Sequence, residues 1–332
     1  MTEKDMILTE IICAAIRNKE VEIEKLKSKS INWNNIYFEA QKHQIHTLIY
    51  PVIKNVASQI ELDPKLMALW NISVLACGIQ MICDEVGIGD VIETFDTFGI
   101  ESIVLKGMSI NKYYPNPELR SMKAADILVH KEDQARVTEI LKTFGYLSQE
   151  DQNAKHIGFF KDKALPINIH ILLVGDELLK ETEIFHSEVW EQPKEIKVGL
   201  AKVYTLSLEM QIIYLCIQMA IEITNRSLGL RHLSDLVIVV EKNKEIDWNI
   251  VKTKIIKYCV EEFVITIFEV CNRLFQMKVP KELAHLNKKN YENIERLIGD
   301  IFKDINSRKK ELHRASKNTF SKSPPKDSIN KI

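Results

Sequence analysis

The sequence predicts an α+β chain, with a small mixed-sheet block held between two helical regions. Three observations predict it. Apolar residues recur at helical spacing from the N-terminus to about residue 98, and again from Ser207 onward. Short β-branched runs bounded by glycine or proline occur only between about 100 and 205. The tail SKSPPKDSINKI is polar, with two prolines, and reads as disordered.

The first region, 1–98, repeats apolar residues at helical spacing in ILTEIICAAIRN and again from Trp33 to Val56. Pro51 falls inside the second pattern and is expected to break it, because proline removes a backbone donor. Leu66 to Phe98 is a long apolar stretch with an expected interruption at GIGD, 87–90.

The second region spans 99–205. IESIVLKG reads as a buried strand ending in a turn, and MSINKYY as a helix start stopped by PNP at 115–117. AADILVH is the next strand, and KEDQARVTEILKTFGY an amphipathic helix closing at Gly145. HIGFFKDKALPINIHILLV reads as two strands joined around KDKAL.

The third region, 206–318, opens on Ser207 as an N-cap. Four helices follow in LEMQIIYLCIQMAIEI, LRHLSDLVIVVEK, WNIVKTKIIKYCV and FVITIFEVCNRLF. A charged helix is expected within 289–318, and the disordered tail occupies 319–332.

Composition narrows the function classes. Lys and Arg (45) balance Asp and Glu (46) in the 332 residues, so general nucleic-acid binding is not expected and any anion site must be a local cluster. No window approaches the ~18 uninterrupted apolar residues of a membrane span, and the N-terminus lacks the basic start of a signal peptide. Six scattered cysteines with no CxxC pair suit free thiols in a reducing compartment. A cytoplasmic protein with no membrane partner is the expectation.

Three features of the middle region bear on chemistry. Leu105-Lys106-Gly107-Met108-Ser109 carries a strand into a helix through glycine. Such a turn exposes backbone N–H groups to an anion, with Lys106 adding charge and Ser109 a hydroxyl. It is equally an ordinary structural turn. Arg120 follows PNPEL and reads either as an exposed arginine or as a bidentate clamp for a phosphate. Asp126 lies in an otherwise apolar strand, where metal ligation and ion pairing both give a buried carboxylate a reason to be there.

The run LKGMSINKYYPNPELRSMKAADILVH resembles the core of a bacterial group of nucleotidyltransferase-family proteins with the polymerase β-like fold. INIHIL, VYTLSLEMQIIYLC, LRHLSDLVIVVEK and WNNIYFEAQKHQIHTLIYPVI are similar to other segments of that group, in the same order, over roughly 5–280. The resemblance implies a small mixed-sheet nucleotidyltransferase core. It implies a site in which three carboxylates hold two Mg²⁺ ions and transfer a nucleotidyl group from a nucleoside triphosphate to an acceptor. The acceptor, a small molecule or a peptide, is not identified by the sequence.

The sequence departs from that pattern. The second aspartate of the family's Asp-x-Asp falls on Asp126, the first on Ala124, and the third acid on Asn168. A histidine of the helical part falls on Gln218. Lys106, Gly107, Arg120, Asp126, His170, Arg231 and Asp235 are kept. His170 shares a strand face with Asn168, which suits a polar pocket or a hydrogen-bonded core histidine. Arg231 and Asp235, four apart on a helix, are expected to pair with each other.

Three functions remain in view. As an enzyme, the chain would hold the triphosphate with Lys106, Gly107, Ser109, Arg120 and His170, and Mg²⁺ with Asp126 and Asn168, borrowing acids such as Glu101 or Asp133. As a catalytically inactive relative, it would bind a nucleotide or phosphate without turnover. As an interaction module, it would dock a partner through its helices.

Overall fold

The computed structural model describes residues 1–27, 31–149, 156–175, 179, 181–225, 228–286 and 291–303. The expected tail and the later part of the 289–318 helix lie outside the described residues.

Five helices come first: α1 (Glu3–Arg17), α2 (Ile23–Leu26), α3 (Trp33–Lys42), α4 (His46–Val56) and α5 (Pro64–Thr97). Then follow β1 (Ser102–Leu105), α6 (Gly107–Ile110), β2 (Ala125–Val129), α7 (Gln134–Thr143), β3 (Leu147–Gln149), β4 (His156–Phe160) and β5 (Ile167–His170). After them come α8 (Thr182–Val189), β6 (Lys194–Val198) and β7 (Ala201–Thr205). The chain continues through α9 (Leu208–Thr224), α10 (Leu230–Lys242), α11 (Trp248–Lys257), α12 (Glu261–Phe275), α13 (Lys281–Ala284) and α14 (Tyr291–Phe302).

The strands form one mixed sheet in the order β3-β4-β5-β2-β1-β7-β6. Antiparallel β1–β2 and parallel β2–β5 build its centre, with Leu105 opposite Asp126 and Asp126 opposite Asn168. The alternation of side chains sorts this centre onto two faces. Val104, Ile127, Ile167 and Ile169 enter an apolar cluster with Ile92, Phe95 and Val137 of α5 and α7. Ile103, Leu105 and Leu128 enter a second cluster that also holds the N- and C-terminal helices. Asp126, Asn168 and His170 are displayed on this second face, where the helices close over the strands.

Two sequence expectations are corrected. Pro51 sits inside α4 and does not break it. Proline forfeits the bond to the Thr47 carbonyl, but Ile49 and Ile53 are fully buried on the same helix and hold it in place. The GIGD segment does not interrupt α5, which is continuous from Pro64 to Thr97. A Cβ at Gly89 would meet the Ala201 Cβ and the Val198 carbonyl at 3.3 Å, so the missing side chain lets α5 seat on the β6–β7 hairpin. By length and composition α5 is also apolar enough to cross a membrane, with an 18-residue window of mean hydropathy 1.8, of which 17% is buried. The sequence reading had identified neither α8 nor the β6–β7 hairpin.

Ser207 caps α9 as expected, its side chain accepting from the Met210 amide at 3.3 Å. The hairpin joins the sheet at a single bridge between Ile103 and Tyr204, reinforced by Thr205 Oγ1 donating to the Val104 carbonyl at 2.9 Å. Across the molecule, Trp70 Nε1 donates to the His46 carbonyl at 2.7 Å and ties α5 to α4.

Candidate nucleotide site

A cavity of about 190 Å³ opens where the second sheet face meets α9 and α10. Lys106, Lys123, Asp126, Gln218, Arg231 and His232 are among its walls. The sequence places Lys106, Gly107, Ser109, Arg120, Asp126, Asn168 and His170 in one site; all but Ser109 and His170 line this cavity.

Asp126 is the hub of the strand side. Its Oδ1 accepts from Asn168 Nδ2 at 3.2 Å and pairs with His170 Nε2 at 2.8 Å. Its Oδ2 lies 3.6 Å from Lys106 Nζ. Burial alone would raise the Asp126 pKa, but Lys106, His170 and Asn168 outweigh it and hold the carboxyl well below the ordinary range. His170 therefore reaches the site through Asp126. Its ring centroid lies 5.1 Å from that of His156.

Lys106 connects β1 to α6 with φ 44° and ψ −115°, a sparsely populated conformation for a residue with a side chain. Strain of this kind costs on the order of 1–3 kcal/mol and persists where the surroundings impose it. Gly107 follows because nothing larger fits. A Cβ there would lie 2.7 Å from Met122 Sδ and 3.0 Å from Arg120 Nη1. Helix α6 has only four residues, so the expected helix-dipole contribution is small.

Ser109 is a correction. It is 1% exposed, its Oγ donates to the Lys106 carbonyl at 2.8 Å, and it accepts from Gln211 Nε2 at 2.7 Å. The i+2 position after Gly107 turns its hydroxyl toward α9 and away from the cavity.

Arg120 is a second correction. It is bidentate as expected, but its partner is Asp235. Nε and Nη2 reach the two Asp235 oxygens at 2.7 and 2.6 Å, Nη1 donates to Asn111 Oδ1 at 3.2 Å, and Tyr114 Oη donates to Asp235 Oδ1 at 2.8 Å. Burial works against the guanidinium charge, but Asp235 more than restores it. Arg120 is 1% exposed and serves as the back wall of the cavity.

The expected Arg231–Asp235 pair is therefore not made, because Arg120 takes both carboxylate oxygens. Arg231 forms no ion pair within 4 Å among the described residues, and its buried Nε has no hydrogen-bond partner. Burial and the like charge of Arg120 lower its pKa, with Asp235 opposing. Lys123, which the sequence reading passed over, has its pKa lowered by burial and by Arg231. Burial and Arg231 also push His232 down to about 4, so it is neutral at physiological pH. Lys123 adjoins Ala124 and its cation was legible there; the free state of Arg231 became visible only with the fold.

The profile of a family described as "Uncharacterised nucleotidyltransferase" matches residues 29–276. The chain belongs to this nucleotidyltransferase family. No functionally curated protein matches the chain. Among solved structures, it is similar to the antibiotic-resistance factor ANT(2'')-Ia, at 12% identity and a TM-score of 0.38, over 51% of this chain and 87% of that one. It is also similar to an antigenic nucleotidyltransferase-like protein from Paracoccidioides brasiliensis, at 8% identity and a TM-score of 0.36, over 61% of this chain and 96% of that one.

A nucleotidyltransferase site built on two Mg²⁺ ions needs several charged oxygens. The donors here do not fit that need. Ala124 has no ligand atom, Asn168 turns its amide nitrogen to Asp126, and Asp126 spends its oxygens on Asn168, His170 and Lys106. Among the described residues no three His, Cys, Asp or Glu side chains are grouped to hold a metal. Glu101 and Asp133 do not complete the set. Glu101 pairs with His130 beyond the far end of β1, where Ser102 faces Val129, and Asp133 pairs with Arg136.

Proposed function

We propose that this nucleotidyltransferase-family protein binds the phosphate end of a nucleoside triphosphate, without a two-ion Mg²⁺ centre. The observation that carries the proposal is Arg231, a buried guanidinium in the cavity wall whose Nε lacks a partner. Its nearest carboxylates, Asp235 and Glu222, stay beyond ion-pair distance, so its burial is only partly compensated, and an anionic ligand would complete the compensation. Lys106 and Lys123 also line the cavity. The volume of about 190 Å³ is below the roughly 300–1,000 Å³ of pockets that enclose a whole small molecule. It suits phosphates, with the base outside. In this reading Asp126 orients Lys106 and His170 and is not a metal ligand, and the protein works in the cytoplasm.

Nucleotidyl transfer to an acceptor, a small molecule or a peptide, is the second reading. Family membership and the retained Asp126 favour it. Calorimetric titration with each nucleoside triphosphate, in EDTA and in Mg²⁺, separates the two. The proposal expects binding in EDTA that is lost in Arg231→Ala and Lys106→Ala. Binding that requires Mg²⁺ and disappears in Asp126→Ala would support transfer instead. No binding in either condition would sink both readings.

A further inference from the structure

We propose that the outer face of α5 pairs with α5 of a second copy in a two-fold dimer. Leu69, Ile72, Leu75, Ile79, Ile82 and Val86 are each between 48% and 65% exposed. From Ile72 to Val86 they recur at alternating spacings of three and four, the seam pattern of paired helices. The central four, Ile72, Leu75, Ile79 and Ile82, are spaced three, four and three apart and read the same in either direction, so this part of the stripe is complementary to itself when two copies run antiparallel. The flanking positions Ala76, Gly78 and Cys83 are small and uncharged, which allows close approach, with the Glu118 side chain lying beside Gly78.

Area agrees with this occupant. The six side chains leave on the order of 650 Å² of apolar surface per copy, so mutual burial removes about 1,300 Å², within the roughly 1,200–2,000 Å² of stable interfaces. That is also at the upper end of the apolar patch an ordinary monomer leaves bare. The inner face of the helix is already committed, since Leu66, Trp70, Met81, Ile88 and Phe95 are buried against the body. No lysine or arginine occurs between Leu66 and Thr97, so the basic rim of a helix lying on anionic lipid is missing. The sequence of 304–332 is polar and mostly basic, and supplies no matching apolar stripe.

The test is the mass of the full chain by light scattering and by sedimentation equilibrium over a dilution series. The expected result is twice the 38.4 kDa chain mass. Ile79→Glu should weaken association at least hundredfold and leave the circular dichroism unchanged, as should the milder Leu75→Gln. Leu147→Glu, 76% exposed on strand β3 at the opposite edge of the sheet from the β6–β7 hairpin that α5 packs on, should leave the dimer intact. A wild type monomeric at every concentration would overturn the proposal, and so would a dimer that survives Ile79→Glu. Sedimentation of a monomeric wild type with phosphatidylcholine–phosphatidylglycerol vesicles would assign the stripe to lipid and overturn it too.

Discussion

Arg120 grips Asp235 with two parallel hydrogen bonds, Nε to Oδ1 at 2.7 Å and Nη2 to Oδ2 at 2.6 Å, across 115 positions of sequence. Both residues are buried, and Asn111 and Tyr114 satisfy further atoms of the pair. The fork joins the β1–β2 connection to α10. Removing one partner leaves the other as an uncompensated buried charge, which costs about 3–5 kcal/mol. Asp235→Ala is expected to lose that much in a urea titration. A loss under ~1 kcal/mol would show that water relieves Arg120.

Arg231 behaves oppositely. It is buried beside the like charge of Arg120 and lacks an ion-pair partner among the described residues. Arg231→Met is expected to raise the melting temperature and to weaken nucleotide binding at least tenfold. A variant that loses stability would assign Arg231 a structural part.

The Asp126 carboxyl has a folded-state pKa below its ordinary value. Such a group contributes stability above its unfolded pKa of about 3.9, and that contribution fades as pH falls toward the folded value. Wild type should therefore exceed Asp126→Asn in stability at pH 7, with the gap narrowing below about pH 4. Denaturant midpoints measured from pH 7 to pH 3 check this. A gap that stays constant would mean that the charge of Asp126 is not what the neighbours stabilise.

Gly107 and Ser109 lie two residues apart in the same turn and should respond differently. Gly107→Ala forces a methyl toward Met122 and Arg120, an overpacking of about 1–3 kcal/mol. Because Arg120 is the back wall, nucleotide affinity should fall with it. Ser109→Ala should cost about 1–3 kcal/mol, through the buried Gln211 amide left without its acceptor, and leave affinity unchanged. Calorimetry on both variants decides whether the hydroxyl ever reaches the ligand.

The outline of the fold was legible because periodicity is local. The strands at 102–105, 125–129 and 167–170, and all four helices from Leu208 to Phe275, lie where the apolar pattern put them. The β6–β7 hairpin escaped because KEIKVGLAKVYT alternates weakly and carries three lysines on its exposed positions. Asn168 and His170 were placed on one face by the period of a strand, and the family resemblance set Asp126 beside them. The ion pairs were not legible in this way. Arg231 and Asp235 have ideal helical spacing, yet Arg120 arrives from a distant loop with better geometry. A residue's free charge is a property of the whole packing, and spacing along one helix does not report it.

The Arg120–Asp235 fork also fixes an order of events in synthesis. Every strand of the sheet has been made by Thr205, but Asp235 comes later, on α10. A nascent chain that has just completed β7 holds Arg120 without its counter-ion, and the cavity without its α9 and α10 walls. Domains form from the N-terminal side as the chain emerges. The cavity is thus complete only after the sheet, once α10 has been made. A ligand of the cavity would therefore stabilise the sheet only after its strands are in place.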